Sequence, residues 1–168
     1  IYERIKRLAA GMILVDASCI LRTLRAEKSS WEVQMMERAG EIAELGMKTA
    51  VESICEGIRE WEIAAKGEFE IRSAGAEIPY TTIVSSGHNT SQCERRTGDR
   101  RIRKNELIYI DLGATVEGYM NDTTRTVAFG YISGKQKQIL DASLEAQEKG
   151  IGASRSGFKA KDVDVAVR

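Results

Sequence analysis

Histidine is nearly absent from this chain of 168 residues; His88 is the only one. A site built from several imidazoles cannot be assembled from it, which excludes a self-contained His-rich zinc centre. Cysteine is also scarce. Cys19, Cys55 and Cys93 are odd in number, widely spaced and form no CxxC pair. A disulfide framework is therefore not expected, and a reducing, cytoplasmic setting is. Net charge is missing as well, since 25 Lys and Arg balance 25 Asp and Glu. That argues against a nucleic-acid binder working by bulk electrostatics and against attraction to an anionic membrane. No apolar run approaches the roughly 18 residues of a membrane-spanning helix. Gly113, Gly118 and Gly130 follow no phosphate-loop or dinucleotide spacing.

What is present reads as a folded domain: 42% hydrophobic and 30% charged residues, in a length that can bury one real core. The chain opens on IYERIKRL without a Met or signal pattern and stops at DVDVAVR inside a helical stretch. Both ends read as cut.

Along the chain, residues 1–28 hold a short apolar run, Met12 to Val15, expected as a strand or buried turn, followed by a connector. Ser29 with Glu32 forms a capping box that opens a helix over about 31–55. A second helix is expected over 59–72, with Trp61, Ala64, Ala65 and Phe69 inward. The single Pro79 breaks the pattern just before TTIV, a strand. Residues 87–104 form a polar stretch, GHNTSQCERRTGDRRIRK, read as a solvated loop or a functional one. The segment ELIYIDLGATVEGYMNDTTRTVAFG is a hairpin turning near Gly118. Ser133 with Gln136 is another capping box, opening a helix with Ile139, Leu140, Leu144, Ala146 and Ile151 on one side. Lys159 begins a last helix. Two helix pairs, the second with no strands after it, suggest half of an internal duplication.

The sharpest feature is a pair of aspartates in the hairpin. With the turn centred on Val116 and Glu117, position 111 pairs with 122, so Asp111 and Asp122 face each other across adjacent strands. Like charges in directly opposed positions destabilise a sheet, and Leu107, Ile108, Tyr109, Ile110 and Leu112 mark a largely buried strand. Such a pair needs a shared proton, as in an acid–base dyad, or a divalent cation, since hard oxygen ligands suit Mn, Mg or Co. The remaining possibility is a bulge that offsets the pair, or Arg125 or another cation neutralising one member.

At these residues a resemblance becomes visible. IDLGATVEGYMNDTTRT resembles the metal-binding hairpin of the pita-bread metallopeptidase superfamily (prolidase, Xaa-Pro aminopeptidase, methionine aminopeptidase, creatinase): an aspartate in DLG, GY at the turn, a second aspartate eleven residues on, then TRT. LRAEKSSWEVQMMERA, IVSSGHNT, RIRKNELIYIDLG and GFKAKDVDVAVR resemble further stretches of the same domain, so the likeness covers about residue 22 to the end and is closest to the Xaa-Pro branch. It implies an α/β (α+β) pita-bread fold. It also implies that residues 1–28 are a remnant of a preceding domain and connector, and that 29–168 are the N-terminal half of the catalytic domain.

The same resemblance implies two divalent metal ions (Mn, Co or Zn) in the complete protein, with Asp111 and Asp122 as ligands and Thr124 beside them orienting a ligand or water. Such metals activate a bridging hydroxide for attack on a peptide carbonyl. It further implies a peptide or small amino-acid-like substrate and a homodimer. Arg125 is expected to pair structurally.

Two departures qualify what the resemblance implies. The family's remaining ligands, a histidine and two glutamates, lie beyond this chain's last residue, so metal binding here should be weak or absent. The substrate-side histidine of prolidase-like members stands seventeen residues before the first aspartate, where this chain has Glu94; His88, six residues earlier, falls at a loop position. Three readings stay open: His88 substitutes through a shifted loop, Glu94 serves a different substrate or reaction such as creatinase-like C–N cleavage, or peptidase activity is impaired or lost. A non-catalytic interaction module is the third class of function. Cys93, beside Glu94 and two arginines, could be a reactive thiol but lacks an evident base partner other than His88. Met35, Met36 and Met47 read as core fillers.

Overall fold

The computed structural model describes residues 1–9, 11–92 and 95–168. Its elements in chain order are α1 (Tyr2–Leu8), α2 (Ser18–Ala26), α3 (Ser30–Glu52), α4 (Glu60–Ser73), β1 (Ile83–Ser86), a short 3-10 turn (Gly87–Ser91), β2 (Glu106–Leu112), β3 (Thr115–Val116), β4 (Tyr119–Met120), β5 (Thr123–Phe129), α5 (Gly134–Ala153) and α6 (Ala160–Val167).

Both expected capping boxes are formed. The Ser29 hydroxyl accepts from the Glu32 N–H while the Glu32 carboxylate accepts from the Ser29 N–H at 2.6 Å. Ser133 and Gln136 repeat the arrangement at the start of α5. A reciprocal cap of this kind satisfies two amides that a helix start leaves without partners.

β1, β2 and β5 form an antiparallel sheet in the order β1-β2-β5, and β3 with β4 continues the β2–β5 hairpin as a two-stranded tip. Along β2 alternate residues point to opposite faces. Ile108, Ile110 and Leu112 are fully buried against α3 and α4. With Val84, Ile42, Met47, Ile63, Ile71 and Ile102 they form the core. Leu107, Tyr109 and Asp111 lie on the opposite face, which is only half-buried.

Three expectations are corrected. Met12–Val15 forms neither a strand nor a buried turn. Met12, Ile13, Leu14 and Val15 are exposed, and the stretch read as a connector contains α2, started by the Asp16 carboxylate on the Ser18 N–H. In α4, Ala64 is buried as expected but Ala65, Trp61 and Phe69 are exposed; the inward residues are Glu60, Ile63, Ala64, Gly67 and Ile71. The α3–α4 crossing brings Gly46 against Gly67, so the slim face of α4 turns inward and the aromatic face is left outside. The apolar side of α5 is uncovered too, with Ile139, Leu144 and Ile151 exposed; α5 packs against α6. Among the described residues, no helix is long and apolar enough to cross a membrane.

Candidate functional site

The hairpin register decides how the two aspartates meet. The tip pairs Val116 with Tyr119 and Thr115 with Met120, so the turn is Glu117–Gly118. Both take positive φ, 49° and 82°, which is the left-handed pair of a tight two-residue hairpin turn, with glycine in the second place. The expected centre at Val116 and Glu117 is therefore one residue early. Asp111 stands opposite Thr124 rather than Asp122, and the aspartates are diagonal neighbours. Because strand faces repeat every two residues, this offset leaves both carboxylates on the same face.

The ladder is interrupted between the two paired regions. Asn121 donates its N–H to the Ala114 carbonyl at 2.9 Å, and its own carbonyl presses so closely on Gly113 that a Cβ there would collide with it and with Pro79 and Tyr80. A glycine after Asp111–Leu112 is thus required for the backbone to bring Asp122 in.

One side chain joins the pair. The Tyr80 hydroxyl lies 3.1 Å from Asp111 Oδ1 and 2.8 Å from Asp122 Oδ1. A phenol has one proton, so it can donate to only one carboxylate at a time. Burial pushes the Asp111 carboxyl above its ordinary value; the Tyr80 and Thr124 hydroxyls oppose the rise, and the nearby Asp122 charge adds to it. Burial and the Asp122 hydrogen bond push the Tyr80 phenol up as well. Tyr80 is therefore a protonated donor here, not a base. Two carboxylates held together on one face are hard oxygen donors of the kind a divalent cation takes. Among the described residues, no three His, Cys, Asp or Glu side chains gather where they could hold a metal ion.

The pair opens into a cavity of about 390 Å³ lined by Tyr80, Thr81, Ile83, Arg96, Asp111 and Asp122. A larger cavity, about 620 Å³, lies between α3 and the hairpin tip and contains neither aspartate; the chemistry points to the smaller one.

The other expected residues distribute as follows. Thr124 is beside Asp111 in the ladder. His88 is exposed on the 3-10 turn and does not line the aspartate cavity. Glu94 and Cys93 lie outside the described residues. Arg125 pairs with Ile110 in the ladder, on the face away from Asp111, and donates to the Thr124 carbonyl at 2.8 Å; among the described residues it finds no acidic partner. Tyr80 was missed. Its signal was its place next to Pro79, immediately before the strand that pairs with β2, since Ile83 faces Asp111 in that register.

A helix pair packed on an antiparallel sheet, with two carboxylates on its hairpin, is the arrangement expected of the pita-bread fold. The chain superposes on the prolidase of Pyrococcus furiosus with a TM-score of 0.94 at 34% identity, covering 99% of this chain and 50% of that one. On the X-Pro aminopeptidase of Thermotoga maritima the TM-score is 0.91 at 30% identity, covering 99% and 47%. The chain belongs to metallopeptidase family M24, whose model matches residues 34–168. It is 39% identical to the Xaa-Pro dipeptidase of Pyrococcus furiosus over 150 residues, 89% of this chain and 43% of that protein. With the Xaa-Pro dipeptidase of Pyrococcus horikoshii it shares 39% identity over 167 residues, 99% and 48%. The chain thus spans about half the length of the relatives it matches.

Proposed function

We propose that the protein carrying this chain is a metal-dependent peptidase acting on Xaa-Pro peptides, with Asp111 and Asp122 as ligands to two divalent ions, Mn, Co or Zn. The observation that carries the reading is the aspartate pair, held on one face and joined through Tyr80. When bound, such ions supply Lewis acidity toward a peptide carbonyl. The chain's own residues do the rest of what it can do. The β2–β5 ladder fixes the two carboxylates, Thr124 stands beside Asp111, and Tyr80 orients the lone pairs that a cation would take.

Residues 29–168 serve as the first half of the catalytic domain and 1–28 as the connector to what precedes it. The remaining ligands come from outside this chain, so the chain alone is inactive and binds Mn(II) or Co(II) no tighter than about millimolar, the weak end of carboxylate sites. The working form is a cytoplasmic homodimer. Assaying the longer protein with Mn(II) or Co(II) against Xaa-Pro dipeptides and longer Xaa-Pro peptides tests the reading; absence of metal-stimulated turnover refutes it.

Glu94 favours one alternative, a non-peptidase hydrolase of the same fold, because a carboxylate cannot stabilise developing negative charge as an imidazole can. Glu94→His separates the two. Gain of Xaa-Pro hydrolysis supports a drifted peptidase, and no gain supports different chemistry.

A further inference from the structure

The fully buried Glu60 takes no part in the chemistry described above. It is the first residue of α4, where the helix N-terminus favours a negative charge. Its Oε1 accepts from the Ser86 N–H at 2.9 Å, the Ser86 hydroxyl at 2.7 Å and the Asn89 amide at 3.1 Å. Its Oε2 accepts from the Gly98 N–H at 3.2 Å. One carboxylate therefore holds both ends of the segment that leaves β1 and returns towards β2.

The clamp is backed on both sides. Arg100 donates to the Ser86 hydroxyl at 2.6 Å and makes a two-pronged pair with Glu106 at 2.7 and 2.6 Å. Thr97 accepts from the Val84 N–H and donates to the Thr82 carbonyl, both at 2.8 Å. Thr97 and Gly98 directly follow Arg96, which lines the aspartate cavity.

A buried charged network is a poor source of stability, since apolar replacements of similar volume are often neutral or stabilising. What this network supplies is a fixed position for a polar segment. We propose that Glu60 is a positioning residue for the substrate side of the aspartate cavity, holding Ser86 and Asn89 at one end and Gly98 at the other so that Arg96 stands at the cavity wall. The proposal rests on the peptidase reading for its role in turnover, but not for the clamp itself.

Glu60→Gln is the informative variant. The amide oxygen keeps the three donors at the Ser86 end, while its NH2 is left facing the Gly98 N–H, donor against donor. In the 168-residue chain, trypsin cleavage after Arg95 and Arg96 and amide exchange at Gly98 should rise about tenfold, the loss of one bond to a charged acceptor. Exchange at Ile108 and Ile110 should not change. Glu60→Met, which fills the site without any acceptor, should release the segment further. In the longer protein with Mn(II) and an Xaa-Pro dipeptide, Glu60→Gln should raise KM severalfold with kcat within about twofold. Unchanged cleavage of the segment overturns the clamp, and so does parallel loosening of Ile108 and Ile110, which would make Glu60 merely structural. A kcat loss without a KM change overturns the positioning role. If the unsubstituted protein turns over no Xaa-Pro peptide, the peptidase reading fails while the proteolysis still judges the clamp.

Discussion

Asp111→Asn should make this chain more stable at neutral pH. The Asp111 carboxyl is held above its ordinary value of 3.8 by burial and by Asp122. The folded chain therefore binds that proton more tightly than the unfolded one. Protonated Asp111 stabilises the fold below about pH 3.8, and that contribution is lost as pH rises through the folded value. The two carboxylates share the Tyr80 hydroxyl at 3.1 and 2.8 Å, so their nearest oxygens stand within about 6 Å, where two unit charges repel by about 3 kcal/mol at an effective dielectric of about 20. Asp122 is exposed, and solvent reduces the repulsion to about 1 kcal/mol. Desolvation of Asp111 adds to this cost while Tyr80 and Thr124 offset part of it, so the net gain on neutralisation is about 1 kcal/mol. Urea unfolding followed by Trp31 and Trp61 fluorescence, with chelator present, measures it. The midpoint should move up by about 0.5 M at pH 7 and by much less at pH 4. A destabilised variant at pH 7, or an equal gain at both pH values, refutes the reasoning.

Tyr80→Phe removes a donor that favours the ionised Asp111, so the Asp111 carboxyl should rise further; carbon-13 NMR of its carboxyl signal gives the direction, and a fall contradicts the shared-phenol geometry. Ile110→Ala opens a hole at a fully buried position under the aspartate strand and should cost about 3 kcal/mol in urea unfolding. Ser29→Ala breaks the α3 capping box and should cost about 1 kcal/mol. Its amide exchange should rise first at the N–H groups of the opening turn, because the Ser29 hydroxyl accepts there.

Glu32 also accepts from the Tyr119 hydroxyl at 2.8 Å, and Trp31 meets the Tyr119 ring edge-on at 5.7 Å. The helix start thereby holds the hairpin tip. Neither contact is visible in the local pattern, because residues 32 and 119 are far apart in the chain.

The amino-acid sequence by itself determined the capping boxes, the sheet hairpin, the apolar alternation of β2 and the presence of both aspartates on one face. These depend on residue type and on periods of 2 and 3.6, which act over a few neighbours. It also left a resemblance specific enough to indicate the fold. Tertiary structure decided the rest. It chose the Glu117–Gly118 turn, and so made the aspartates diagonal. It turned the slim face of α4 inward at the expense of Trp61 and Phe69. It brought Tyr80 onto Asp111 and Asp122, and Glu60 onto Ser86, Asn89 and Gly98. Each of these depends on the distance between surfaces that meet only after the chain has folded, and no local pattern encodes that distance.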